Sequence, residues 1–164
     1  MGLLSIDEVI NDSCWSYIKV TPGADIDLLL NKYRNNDKYN IVNLCDVTNI
    51  CDIDFSKIVV LYVEQVFGKT HSPTSQINIK GYEKPGLFDL IRKISREVRG
   101  EKFIVIEKCV EESKNPLQMP ELNITYTSVL PCSLLFMSDC HIWFEESDVI
   151  LVKHKMHGIN VLSY

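Results

Sequence analysis

The spacing of apolar residues predicts three α-helices. For the first, Ser5 and Glu8 fit a capping box, which predicts a short helix from Ile6 to about Asn11. The second and third have apolar residues at positions i, i+3, i+4 and i+7, as expected for one buried helix face. These residues are Ile26, Leu29, Leu30 and Tyr33 in the second helix, and Leu87, Leu90, Ile91, Ile94 and Val98 in the third. Gly100 lies where a C-terminal cap of the third helix belongs.

Other segments are rich in Val, Ile and aromatic residues, which predicts β-strands. They span residues 14–20, 39–47, 58–67, 76–81, 103–110, 122–130, 134–137, 141–144, 149–154 and 159–164. The later strands are joined by short connections, such as a hairpin tip at His157 and Gly158, and short connections favour antiparallel pairing. We therefore expect an α+β fold with a mostly antiparallel sheet, in one piece, in two sheets or as a partial barrel. The two longer helices are expected to pack on one face, and residues 1–164 to form a single globular domain.

Composition narrows the class of protein. The chain has 164 residues, of which 46% are hydrophobic and 24% charged, with a formal net charge of −5. A chain of this size can bury a core without a metal or a disulfide, and its acidity argues against wholesale binding along nucleic acid. The longest apolar run covers only residues 58–63, whereas a membrane-spanning helix needs about 20 residues. We expect no transmembrane segment.

The cysteines and the N-terminus indicate a reducing compartment. The first residues lack the basic start and long apolar centre of a secretory signal. Six cysteines are present, and without a secretory signal we interpret them as thiols in a cytoplasmic protein.

Common catalytic motifs are missing from the sequence. It contains no glycine-rich phosphate loop, no Gly-x-Ser-x-Gly turn, no Cys-x-x-Cys and no His-Glu-x-x-His. We therefore predict that the protein is not an enzyme and takes no cofactor.

An enzymatic alternative remains, namely a cysteine- or zinc-dependent hydrolase. Thiolates and imidazoles are zinc ligands, and a thiol beside a histidine can act as a nucleophile. The candidate zinc ligands are Cys132, Cys140, His141, His154 and His157, and the candidate nucleophiles are Cys140 and Cys51, with His71 or His141 as the base. The competing interpretation is that these are buried thiols and solvent-facing histidines at a turn, because the spacing is less regular than in zinc sites.

The third helix carries the most informative surface. Its polar side holds Arg92, Lys93, Arg96 and Arg99, and the three arginines form one stripe at i, i+4 and i+7. Basic residues near the end of a helix also favour its dipole, so solubility and capping could explain them. The functional hypothesis is a contact surface for an acidic protein or a second copy of this chain, with the phosphates of anionic lipid or RNA as weaker alternatives. Two acidic groups in this chain could face such a stripe: Asp46, Asp52 and Asp54, and Glu145, Glu146 and Asp148.

The last predicted strand offers a second contact. Residues 159–164 carry no charge that would block pairing, so this strand is either well covered or an edge that adds a strand from a partner. Our first hypothesis is therefore a non-enzymatic, protein-binding or self-associating structural or accessory protein. The alternative is an immunity- or antitoxin-type inhibitor whose acidic patches mask a basic toxin.

One segment supports a resemblance at the level of element order. Residues 77–79 (INI), 87–98 (LFDLIRKISREV) and 102–110 (KFIVIEKCV) read strand, helix, strand, with more strands after them. This order resembles the globular part of rhabdovirus-type matrix proteins, which implies a viral structural protein. The chain lacks that family's Pro-Pro-x-Tyr segment and basic N-terminal arm, so no site residue is carried over. In size and acidity alone, the chain is also similar to bacterial immunity proteins.

Overall fold

The computed structural model describes residues 6–21, 23–67, 77–110, 140–144, 149–154 and 158–163. The helices are α1 (Ile6–Asn11), α2 (Ile26–Arg34) and α3 (Leu87–Glu97). The strands are β1 (Trp15–Val20), β2 (Tyr39–Asn43), β3 (Ile58–Phe67), β4 (Ile77–Ile79), β5 (Phe103–Lys108), β6 (Cys140–Phe144), β7 (Val149–His154) and β8 (Gly158–Ser163). Two 3₁₀ turns, Leu44–Asp46 and Ile50–Asp52, connect β2 to β3.

The strands form one sheet in the order β2-β3-β5-β1-β6-β7-β8, and β4 pairs with β3 outside this row. The first five strands of the row are parallel, whereas β7 and β8 continue it in antiparallel fashion. The prediction of a mostly antiparallel sheet is therefore wrong, because the body of the sheet is parallel and the fold is of the α/β type. All six residues of β1 are buried, as are the first five of β5, which is typical of parallel strands covered on both faces.

Helices cover both faces of this sheet, so the prediction that they pack on one face is also wrong. Alternate side chains of β1 enter opposite layers: Ile18 lies in the core shared with α1 and α2, and Tyr17 in the core shared with α3. A strand pleat turns successive residues to opposite sides, and both sides of β1 carry bulky apolar groups. Each side therefore needs its own helical layer.

The predictions of individual helices and strands agree with the structure better than the predictions of sheet direction and helix layering. All three helices occur, and the predicted apolar residues of α2 and α3 are buried, except for Ile26 of α2, which is partly buried. The strand predicted for residues 39–47 ends at Asn43, because the side chain of Asn43 accepts a hydrogen bond from the Cys45 amide and starts a 3₁₀ turn. The antiparallel pairing of the last two strands is confirmed, but Gly158, predicted at the hairpin tip, is the first residue of β8, and His157 lies outside the described residues. The predicted strands at 122–130 and 134–137 and the capping serine Ser5 lie outside the described residues.

None of the described helices has the length and apolar character that crossing a membrane would need.

Candidate functional site

Helix α3 presents its polar side to solvent because its other side is fixed in the core. Gly86, with φ of 79°, precedes the helix, and Gly100, with φ of 82°, follows it in the left-handed conformation that glycine adopts without strain. Between them lies the buried face: Leu87, Leu90, Ile91, Ile94 and, just past the last helical residue, Val98. This face packs on the sheet beside β3 and β5, so the opposite face must point outward.

The structure brings the four predicted basic residues together on that outward face. Arg92, Lys93, Arg96 and Arg99 are all exposed, and we call them the basic stripe. Arg92 forms an ion pair with Asp89 at 3.3 Å, but the two side chains are 64% and 69% exposed, so solvent screens the pair strongly. Within the described part of the chain, the other three cations have no ion-pair partner. Among the described residues, the positive charge of Lys93, Arg96 and Arg99 is thus not held in ion pairs.

An exposed aromatic ring extends the stripe. Phe88 is 42% exposed and precedes Arg92 by one helical turn. Aromatic rings and arginines are the residue types enriched in the energetically important centres of protein interfaces. In the sequence, Phe88 is only an apolar residue on the polar side of the helix. Its exposure, which the structure shows, makes it a candidate contact residue.

An acidic strip runs beside the basic stripe. The connection between β2 and β3 follows α3 along its length: Val47 lies near Leu87 and Leu90 at one end, and Phe55 near Val98 at the other. Ile53 anchors this connection in the same core. Its exposed carboxylates form what we call the acidic strip: Asp46, Asp52 and Asp54. The second predicted acidic group, Glu145, Glu146 and Asp148, lies outside the described residues.

The carboxyl ends of the parallel strands are the usual place for a ligand site in an α/β sheet. Strand β1 leads directly into α2, whose N-terminus would be the natural place for a phosphate. There the side chain of Asp25 accepts hydrogen bonds from the amides of Asp27 and Leu28, at 3.1 and 3.3 Å. These amides are occupied and two carboxylates stand at the opening, so this helix end does not suit an anion.

A buried polar cluster lies near the carboxyl ends of the central strands. Glu107 of β5 is fully buried and accepts hydrogen bonds from the Tyr17 hydroxyl and from Gln65 Nε2, the latter at 3.0 Å. Lys19, 4% exposed, is paired with Glu107 in the register of β1 and β5. Gln65 Oε1 accepts from the Val110 amide at 3.3 Å. The cluster was missed in the sequence, where the only signal was a charged residue late in each of two apolar strands.

Charge in this cluster is controlled by burial. Burial lowers the pKa of Lys19, against the opposing effects of the Cys109 thiol and Glu107. Burial also raises the pKa of the Cys109 thiol to about 12, and it raises that of Cys45 with help from Asp46. A thiol acts as a nucleophile through its thiolate, so neither cysteine is activated.

The residues of the enzymatic alternative are not assembled in the described structure. Cys51 is exposed and Cys140 is buried. Cys132, His71 and His157, and the side chains of His141 and His154, lie outside the described residues. Among the described side chains, no three of His, Cys, Asp and Glu come together as a metal site would require. No disulfide joins any of the cysteines in the described ranges.

Comparison of the chain with family models, with curated proteins and with solved structures found no match.

Proposed function

We propose that this chain is a non-enzymatic protein-binding module that docks an acidic protein surface through the basic stripe. One observation carries the proposal. Three exposed cations, Lys93, Arg96 and Arg99, belong to the polar side of α3 and its C-terminal end, as does exposed Phe88, and none of the three has an ion-pair partner within the described residues. Solvent-exposed charges contribute little to folding, so such an arrangement gains most from a partner.

A protein surface suits this face better than a chain of phosphates. The acidic strip lies alongside the stripe, and a polyanion such as RNA or an anionic membrane would meet both at once. Carboxylates close to phosphates are repelled, whereas a protein can present an acidic and a basic region side by side. Binding to RNA or to vesicles is therefore the result that the proposal opposes.

The edge of the sheet offers a secondary contact. Strand β8 is last in the order of the described strands. An edge strand can accept a partner strand through its backbone, and we propose this as an addition to the stripe.

The proposal can be tested without knowing the partner, by selecting peptides from a random phage-displayed library on the immobilised protein. We expect selected peptides to be rich in Asp and Glu. Their affinity should fall about tenfold or more on Arg96→Glu, and also between about 0.05 M and about 0.5 M salt. The matched control is Lys38→Glu, because Lys38 is likewise exposed but belongs to the loop between α2 and β2 and not to the basic stripe. This variant should bind like the wild type.

Three outcomes would overturn the proposal. The selected peptides could lack acidic residues, their affinity could be the same on Arg96→Glu, or the protein could instead bind RNA or phosphatidylserine vesicles in a way that Arg96→Glu abolishes.

A further inference from the structure

We propose that the partner is a second copy of this chain, bound about a two-fold axis that runs parallel to α3 between the basic stripe and the acidic strip. This inference rests on the proposed function, because it names the partner of the same surface.

The direction of the two charged features supports this symmetry. The connection from β2 to β3 begins near the start of α3, at Val47, and reaches the end of α3 at Phe55. The stripe and the strip therefore run side by side in the same direction. A half-turn about an axis parallel to both, placed between them, exchanges their positions without reversing them. In a two-fold contact the same surface is used twice, so each stripe would face the partner's strip.

Phe88 supplies the apolar part of this contact. It lies at the beginning of the stripe, level with a shallow cavity that lies between α3 and the acidic strip. Val47, Leu87 and Leu90 are among the side chains that line this cavity. The half-turn keeps positions along the axis, so it brings Phe88 of one copy to the level of the cavity of the other. Exposed aromatic rings are enriched at the energetically important centres of protein interfaces.

The geometry also sets the scale of the assembly. Eleven helical residues extend about 16 Å, and stable complexes bury about 800 Å² on each partner. The stripe with Phe88 at its beginning and the strip form a face of suitable length, with opposite charges that pair twice in each dimer.

A charge exchange between two variants tests this arrangement. Variant A carries Arg96→Glu and Arg99→Glu, and variant B carries Asp46→Lys and Asp52→Lys. In a homodimer of A, acidic groups would face acidic groups, and in a homodimer of B, basic groups would face basic ones. In a mixed dimer, the unchanged stripe of B faces the unchanged strip of A, and the acidic stripe of A faces the basic strip of B. Both contacts therefore join opposite charges.

Sedimentation velocity from about 1 µM to about 1 mM measures the outcome. We expect the wild type to dimerise within this range, A and B alone to remain monomeric, and an equimolar mixture of A and B to dimerise again. Phe88→Ala should weaken the wild-type dimer about tenfold or more while leaving its circular dichroism unchanged. Lys38→Glu should dimerise like the wild type. If A or B is not folded by circular dichroism, Arg96→Glu and Asp52→Lys alone replace them.

A wild type that is monomeric throughout overturns the inference, as does a dimer that survives in A and B, or a mixture that stays monomeric while A and B are folded. These results are separable from those of the proposed function. The wild type could be monomeric while Arg96→Glu abolishes binding of the selected acidic peptides. In that case the stripe binds another protein, and only the second copy is excluded as the partner.

Discussion

Glu107 is the residue on which the buried cluster between the central strands depends. It accepts hydrogen bonds from Tyr17 and Gln65 and lies beside Lys19 in the strand register. Removing the carboxylate takes a hydrogen-bond acceptor from the buried Tyr17 hydroxyl and from the Gln65 amide, at a typical loss of about 1–3 kcal/mol for each donor. We therefore expect Glu107→Ala to lower the free energy of unfolding by about that amount, as measured by urea titration.

The control for this change is Glu107→Gln, which keeps the size of the side chain and one acceptor oxygen. It should cost less than Glu107→Ala, because either Tyr17 or Gln65 can still donate to it. A loss below about 1 kcal/mol for Glu107→Ala would show that the cluster is not a structural element of the sheet.

Cys109 makes the protein sensitive to alkaline pH. Burial raises the pKa of its thiol from 9.0 to about 12. In the unfolded chain the thiol loses its proton first, so its contribution to stability is complete below pH 9 and is lost as the pH rises toward 12. At pH 10 the loss amounts to about 1 kcal/mol.

We expect Cys109→Ala to remove this loss. Urea titrations at pH 7.5 and pH 10 should show stability falling by about 1 kcal/mol more in the wild type than in the variant. Lys19 and Tyr62 also have shifted pKa values, Tyr62 upward by burial and its hydrogen bond to Glu64, but both remain in the two proteins and largely cancel. Parallel pH dependence of wild type and variant would contradict the prediction.

At the scale of elements, α3 separates packing from surface function within a single helix. Ile94 is fully buried among the side chains of the sheet, whereas Phe88 is exposed. Ile94→Ala should therefore cost about 2–5 kcal/mol of stability, through the cavity that it leaves. Phe88→Ala should change the stability of the monomer by less than about 0.5 kcal/mol. Thermal or urea unfolding at low protein concentration, where only monomer is present, provides the measurement; equal losses would mean that the two faces are wrongly assigned.

The sequence was sufficient for elements whose signal is local. The apolar positions of α3 are three and four residues apart, so its buried face and its basic stripe followed from spacing alone. The end of β2 at Asn43 could not be predicted in this way, because it depends on the side chain of Asn43 accepting a hydrogen bond from the Cys45 amide. The side chain of asparagine can form hydrogen bonds with nearby backbone groups that would otherwise pair within a strand, and the spacing of apolar residues does not reveal this.

At the scale of the whole molecule, strand direction was the part that the sequence did not reveal. β1 pairs with β5 and β6, both far from it along the chain, so no single connection showed whether the strands run together. The short links near the C-terminus were correctly interpreted for β7 and β8 and wrongly extended to the rest of the sheet. The polar cluster could not be predicted for the same reason: Lys19 and Glu107 are far apart along the chain and become neighbours only in the parallel register.

That register can be tested by energetic coupling between β1 and β5. In the parallel arrangement Trp15 is paired with Phe103, and their rings meet edge to face with centroids 5.1 Å apart. Such pairs contribute about 0.5–1.5 kcal/mol beyond their burial. A double-mutant cycle of Trp15→Leu and Phe103→Leu should give a coupling of this size in urea unfolding. The control cycle joins Trp15→Leu with Cys109→Ala, which lies just beyond the opposite end of β5, and its effects should add within about 0.5 kcal/mol. An antiparallel sheet would reverse the two results, because Trp15 would then lie next to the end of β5 that carries Cys109.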